Sequence, residues 1–263
     1  MAVVGHVEWS QFVSLERHPA EGDVAHAQAW AERPGGGGTV AAVALAQLGA
    51  TVDFYCALGA DADGEATVEH LSARGVHMHV AWREAPTRRA ITYLVAGGER
   101  TIVVIGPRLD LAGVDALDWE RLDGTAGVYL TAGDAGAVAQ ARRAGVLVAT
   151  SRVRAALEEA AVDLDALVYS EADAEEARWA QRLSDRARLT VATQGSAGGH
   201  WWGASEGRWE AAPAPGPVRD HYGAGDSFAA AFMYGLASGL SVAHAAALGA
   251  RAGALALTQV GAP

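Results

Sequence analysis

One cysteine, Cys56, stands in 263 residues, so no intramolecular disulfide can staple this chain. That usage fits a reducing compartment, and a cytoplasmic location is the expectation. Positive charge is also scarce: 20 Lys+Arg stand against 31 Asp+Glu, a formal net charge of −11. Such a balance argues against a general nucleic-acid or anionic-membrane surface, so neither is an expected partner. A phosphate held by this chain must be met locally, by backbone amides, a metal ion or a few arginines. No apolar run reaches the roughly 18 residues of a membrane span, and the stretch Met1 to His6 has neither a basic leader nor a signal-peptide core. Several common site motifs are missing as well. There is no Gly-x-x-x-x-Gly-Lys-Ser/Thr phosphate loop, no dinucleotide Gly-x-Gly-x-x-Gly after a strand, no His-Glu-x-x-His and no Gly-x-Ser-x-Gly.

What is present describes a globular chain. Hydrophobic residues make up 51 % and charged residues 19 %, enough to bury a sizeable core. Apolar runs 2–4 and 52–58 read as strands, with an alanine-rich helix over 39–48 between them. From Gly127 onward, strands 127–130, 146–149, 166–169 and 189–193 alternate with helices 135–144, 155–162 and 174–184. That spacing predicts a parallel sheet covered on both faces. Residues 76–104 are β-rich, with a hairpin expected from Ile91 to Val95 and Thr101 to Ile105 around Gly97-Gly98-Glu99-Arg100. The reading is one domain over 1–263, with segments near 11–34 and 85–105 projecting as a small β layer.

The stretch Arg219-Asp220-His221-Tyr222-Gly223-Ala224-Gly225-Asp226-Ser227-Phe228 joins a polar loop to a helical run. Gly223 and Gly225 permit backbone angles that turn consecutive amides inward, toward an anion. Phe228, Ala231, Phe232, Gly235 and Leu236 recur at helical spacing, so Asp226 lies where a buried helix begins. The positive end of that helix favours a phosphate, and Asp226 beside it can accept a proton from an attacking hydroxyl. On local chemistry alone, a loop with a helix N-cap is the competing reading.

The segment from Asp220 to Asp226 resembles the Asp-Thr-x-Gly-Ala-Gly-Asp signature of the ribokinase-like PfkB carbohydrate kinases. Four further pieces follow the family order: Gly35-Gly36-Gly37-Gly38, Gly59-x-Asp61-x-Asp63-Gly64, Gly98-Glu99-Arg100-Thr101 and Thr193-Gln194-Gly195-Ser196-Ala197-Gly198. Residues 257–262 resemble the family's C-terminal end. The resemblance implies a three-layer α/β/α sandwich with a central, mostly parallel sheet and a small β-sheet lid. It implies transfer of a phosphoryl group from ATP, with Mg²⁺, to a hydroxyl of a small sugar-like acceptor. Asp226 would be the general base and Gly223, Ala224 and Gly225 the anion hole. Thr193, Gly195, Ser196 and Gly198 would face the nucleotide, and Gly35, Gly36, Gly37, Val40, Glu8 and Ser10 the acceptor. Ser170-Glu171-Ala172-Asp173 stands where the family has Asn-x-x-Glu, which makes Glu171 and Asp173 the metal candidates. Asp220 would lie near a monovalent cation, and the lid would form a homodimer.

The departures bear on specificity. Val40 replaces a substrate-binding Asn, Ser10 an Asp, and His221 and Tyr222 the usual threonines. Two alternatives therefore stand beside the sugar kinase: a nucleoside kinase, and a family member that binds a nucleotide or metabolite without turnover. Trp9, Trp30 and Trp82 read either as an apolar substrate wall or as packing. Arg88 and Arg89 read as anion ligands or as a surface strand, and Glu175 and Glu176 as part of a solvated acidic helix face.

Overall fold

The computed structural model of the protein describes residues 1–95 and 100–261. A buried strand, β1 (Ala2–Val4), opens the chain, which then leaves the layer it has begun: β2 (Glu8–Leu15) and β3 (Ala29–Gly35) pair antiparallel. It returns through α1 (Gly37–Gln47), β4 (Val52–Gly59), α2 (Ala62–Ser72) and β5 (Val76–Arg83). A second excursion makes β6 (Arg89–Val95) and β7 (Arg100–Ile105). Then come β8 (Gly127–Leu130), α3 (Ala135–Ala141), β9 (Val146–Thr150), α4 (Arg154–Ala160), β10 (Ala166–Ser170) and α5 (Ala174–Leu183). The chain continues with β11 (Leu189–Thr193), β12 (Gly199–Gly203), β13 (Gly207–Trp209), α6 (Ala224–Ala237) and α7 (Val242–Ala256).

The large sheet has the order β13-β12-β11-β10-β9-β8-β1-β4-β5. Neighbours from β11 to β5 pair parallel, and β12 and β13 close the other edge antiparallel. Side chains alternate across a strand, so each strand feeds two cores. Val3, Phe54, Tyr129 and Val148 meet Leu45 of α1, Phe228 and Phe232 of α6 and Ala246 of α7. Their neighbours Ala2, Val4, Tyr55, Leu130 and Leu147 meet Val138 of α3, Leu157 of α4 and Leu183 of α5 on the opposite face. The expected three-layer α/β/α sandwich is therefore present. No helix among the described residues is long and apolar enough to cross a membrane.

The small sheet has the order β3-β2-β6-β7, antiparallel except where β2 and β6 run parallel. The expected hairpin pairs Leu94 with Arg100 and Arg89 with Ile105; residues 96–99 between the strands, which hold the Gly98-Glu99 call, lie outside the described residues. The sheet begins at Glu8, ahead of the expected boundary near 11, while β5 joins the large sheet. On β2 the residues Glu8, Ser10 and Phe12 are buried, and Trp9, Gln11 and Val13 between them are half-buried. Ala90, Thr92 and Leu94 of β6 are buried in the same alternation, so the sheet has one inner face. Asp61 ties it to the sandwich. Its carboxylate caps α2 through the Gly64 N–H at 2.9 Å and accepts both the N–H and the hydroxyl of Thr87 at 2.7 Å.

Candidate active site

The first turn of α6 gathers the site. Gly223 holds the N-cap position in the left-handed region at φ 75°, which a residue with a side chain adopts only at a cost. Ala224, Gly225 and Asp226 follow as the first three helical residues, so their N–H groups precede the first intrahelical acceptor. The cap itself is backbone: the Ser227 N–H bonds the Gly223 carbonyl at 2.9 Å, and no side chain caps the helix. Asp226 is thus one turn inside and is not the N-cap of the competing reading.

Two side chains from strand ends, with a third from a helix behind them, form the surroundings of its carboxylate. The Tyr129 hydroxyl, on β8, donates to Asp226 Oδ1 at 3.0 Å. Arg152, on a 3-10 turn directly after β9, is ion-paired to Glu176 of α5, whose other oxygen accepts the Ser170 N–H at 2.9 Å. Burial raises the Asp226 pKa above the usual carboxylate value, and the nearby Arg152 guanidinium and the Tyr129 hydroxyl oppose the rise. Burial likewise lifts Tyr129 well above its ordinary range, with Asp226 adding to it, so this phenol stays protonated and remains a donor. Glu176 is only 6 % exposed, which corrects its reading as part of a solvated acidic face. Tyr129 and Arg152 escaped the sequence reading, and Glu176 was read as solvated, because none of the three sits in a local motif.

The glycine run at the end of β3 closes on this point from the other side. A Cβ on Gly37 would stand 2.8 Å from Asp226 Oδ1, so only a glycine lets the backbone approach that carboxylate. A Cβ on Gly36 would meet His6 Nε2 at 3.0 Å, and one on Gly35 would meet Ser10 Oγ at 2.3 Å. The Gly36 N–H donates to the Tyr222 hydroxyl at 2.7 Å. Glu8 and Ser10, on the inner face of the small sheet, line the same region, and burial raises the Glu8 pKa against the pull of Arg88 and Arg108. Val40 does not line it. It packs with Phe12, Leu94 and Tyr222 in a small core between α1 and the small sheet. Trp30 and Trp82 are 68 % and 47 % exposed, and Trp9 lies on the face of β2 opposite Glu8 and Ser10, so the three form no common wall. The adjacent arginines separate too: Arg88 lies 3.5 Å from Glu8, while Arg89 is ion-paired to Asp63.

The remaining candidates sit at the carboxyl ends of β10 and β11. Thr193 donates to the Tyr169 carbonyl at 3.2 Å and shares a cleft with Ser170, Arg152, Gly223 and Asp226. Gly195 and Ser196 form the exposed turn beyond it, and Gly198 is left-handed at φ 83° where a Cβ would strike the Trp209 carbonyl. Asp173 caps α5 through the Glu175 and Glu176 N–H groups, and Glu171 accepts from Gln194. Among the described residues no three His, Cys, Asp or Glu side chains cluster as a metal cage. Asp220 is fully buried and accepts the Tyr222 N–H at 2.7 Å and the Gly261 N–H at 2.6 Å. A larger hollow, about 310 Å³, lies where β9 and β11 begin, lined by Val146, Leu189 and Leu236, away from this chemistry. A carboxylate beside unpaired helix-terminal amides, with a guanidinium close by, can hold an anion and take a proton from a hydroxyl.

Comparison with known proteins bears on the fold and the family. Ribokinase from Arabidopsis thaliana is 30 % identical over 110 residues, 40 % of this chain and 29 % of that protein, so the match spans less than a third of the relative. The microbiome-derived acarbose kinase Mak1 superposes with a TM-score of 0.84 at 25 % identity, covering 99 % of this chain and 93 % of that one. The structure of Arabidopsis thaliana ribokinase complexed with ribose and ATP superposes with a TM-score of 0.76 at 22 % identity, covering 99 % and 93 %. The model of the pfkB family carbohydrate kinases matches residues 1–263, and the chain belongs to that family.

Proposed function

We propose that this protein transfers the γ-phosphoryl group of Mg-ATP to a hydroxyl of a small carbohydrate-like acceptor. One observation carries the reading: the Asp226 carboxylate lies in the first turn of α6, against the bare backbone of Gly37 and within reach of Arg152. An acceptor seated on Gly36 and Gly37, under Glu8 and Ser10, presents its hydroxyl to Asp226. As the hydroxyl oxygen bonds to phosphorus, Asp226 takes its proton and ADP leaves. The amides of Gly223, Ala224 and Gly225 and the Arg152 guanidinium face the charge that spreads over the transferring group. The nucleotide lies along Thr193, Gly195, Ser196 and Gly198. That the structurally similar Arabidopsis ribokinase holds ribose and ATP supports both halves of this assignment.

Magnesium enters with ATP as part of the substrate. Mg²⁺ keeps several waters and takes few protein carboxylates, so Glu171 and Asp173 suffice at the strand ends as partners to its water shell. A monovalent cation beside Asp220 suits a buried carboxylate that the described residues meet with two amides. The small sheet acts as a lid that excludes water from the transfer. Its outer strand leaves Ile102, Val103, Val104 and Ile105 exposed, which supports a homodimer through the lid in a cytoplasmic enzyme. The nucleoside alternative leaned on Val40 and the tryptophans, and their positions lend it no support.

The test is ADP release from Mg-ATP against a panel of free sugars, sugar acids, sugar phosphates and nucleosides. The expected result is ADP, and a phosphorylated acceptor, only when an acceptor is present. A protein that binds ATP but releases no ADP with any of them is the non-catalytic binding member instead.

A further inference from the structure

Four polar groups lie between the small sheet and the ends of β1 and β8, and of these only Glu8 has a part in the proposed transfer, above the acceptor. His6 follows β1 and meets Gly36, one residue and about 3.8 Å of backbone from the Gly37 that touches Asp226. Glu8 lies on β2 beside Arg88, which precedes β6. Arg108 follows β7 and donates through Nη2 to the carbonyl of Thr131, just beyond β8, at 3.3 Å. Both arginines lie close enough to His6 and Glu8 to shift them, and Arg152 of the Asp226 cluster also reaches His6, so the two groups adjoin.

This patch carries more donors than the protein satisfies. Arg88 makes no side-chain hydrogen bond among the described residues, its Nε is buried without a partner, and Glu8 approaches no nearer than 3.5 Å. Among the described residues His6 Nδ1 and Thr131 Oγ1 are likewise buried without a hydrogen-bond partner. Arg108 has one carbonyl and, toward solvent, Asp110 at 3.1 Å, whose side chain is 58 % exposed. His6 adds no charge at neutral pH: burial, then Arg108, Arg88 and Arg152, lower its pKa to about 3. Buried donors left open cost free energy, and a charged donor costs most.

We infer that the acceptor carries an oxyanion, a carboxylate or a phosphate monoester, and that Arg88 and Arg108 hold it at the end of the pocket remote from Asp226. The inference rests on the kinase reading only for the acceptor's role; the anion site stands on its own geometry. A neutral polyol would give these guanidinium groups lone pairs but no charge, whereas an oxyanion supplies both. Glu8 is poised between the arginines to accept from a neighbouring acceptor hydroxyl. Glu8 and Asp110 offset part of the charge of the two guanidinium groups, so selection for an oxyanion rests on the donor contacts that these carboxylates leave open.

Equilibrium binding in the presence of ADP tests this without needing turnover. The probes are gluconate and fructose 6-phosphate against the neutral sugars glucose and fructose, with wild type, Arg88→Gln, Arg88→Lys and Arg108→Gln. At least one anion should bind tenfold or more tighter than its neutral counterpart, and which one separates carboxylate from phosphate. The preference should fall below threefold in Arg88→Gln and Arg108→Gln and be partly kept in Arg88→Lys, whose fold is least disturbed. Equal or tighter binding of the neutral sugars, or an unchanged preference in Arg88→Gln, overturns the inference. Anion binding without phosphoryl transfer to any acceptor would leave this site standing and remove the kinase reading, while turnover of neutral sugars with no preference would do the reverse.

Discussion

Asp226 works under opposed forces: burial raises its pKa, and Arg152 holds the rise back. The proposed mechanism requires an ionised base, so kcat/KM should fall as pH is lowered through that raised pKa, at a midpoint above the ordinary aspartate value of about 4. Replacing Arg152 with alanine removes the opposing charge. The acid limb of the pH profile should move upward, and turnover at neutral pH should drop about 10²–10³-fold, as for loss of a transition-state donor. A profile left in place by Arg152→Ala would mean that Arg152 serves Glu176 alone. The residues from Gly223 to Asp226 were legible in the sequence because a backbone corner and a carboxylate are contiguous there. Tyr129, Arg152 and Glu176 were not, since each is brought by a different strand or helix. Val40 and Ser170, where the family resemblance implies asparagine, stand in a chain that contains no asparagine at all.

At the level of elements, alternation of strands and helices was readable because each parallel strand is a short apolar run bounded by glycine or polar turns. The inner face of the small sheet was harder to see. Its polar Glu8, Ser10 and Thr92 sit at positions where a sheet packed on a core would carry apolar residues. Asp61 shows how the two layers are joined. Burial raises its pKa, but hydrogen bonds from the Thr87 hydroxyl, the Gly64 N–H and the Thr87 N–H, with Arg89, outweigh that and leave it below the ordinary value. A depressed folded-state pKa stabilises above the unfolded value near 4 and is lost as pH falls through the folded one. Asp61→Ala should therefore cost about 2–4 kcal/mol at pH 7, from a lost N-cap and a stranded Thr87 N–H. The gap in Tm between variant and wild type should narrow below about pH 4, and a gap that does not change with pH would contradict this account of the link.

For the molecule as a whole, β7 is exposed along its full length, an edge strand with four apolar side chains that no described residue of this chain covers. Sedimentation equilibrium should give twice the mass of one chain, and Val103→Lys with Ile105→Lys should return it to a single chain with its fold intact. A wild-type protein that sediments as one chain at micromolar concentration would remove the dimer. The family and its sandwich were legible from five short motifs in order, since the backbone turns they encode are what the fold requires. The acceptor was not, because the site proposed for it draws on side chains that the fold brings together from β2 and the loops flanking β6 and β7.

The most direct measurement compares Asp226→Asn with wild type on one acceptor, reading both turnover and nucleotide affinity. The account predicts that acceptor-dependent ADP release falls about 10²–10⁴-fold while ATP affinity stays within a few-fold, since the amides that hold the phosphate are backbone. Turnover that survives the substitution would show that the proton leaves by another route, and that Asp226 is not the base.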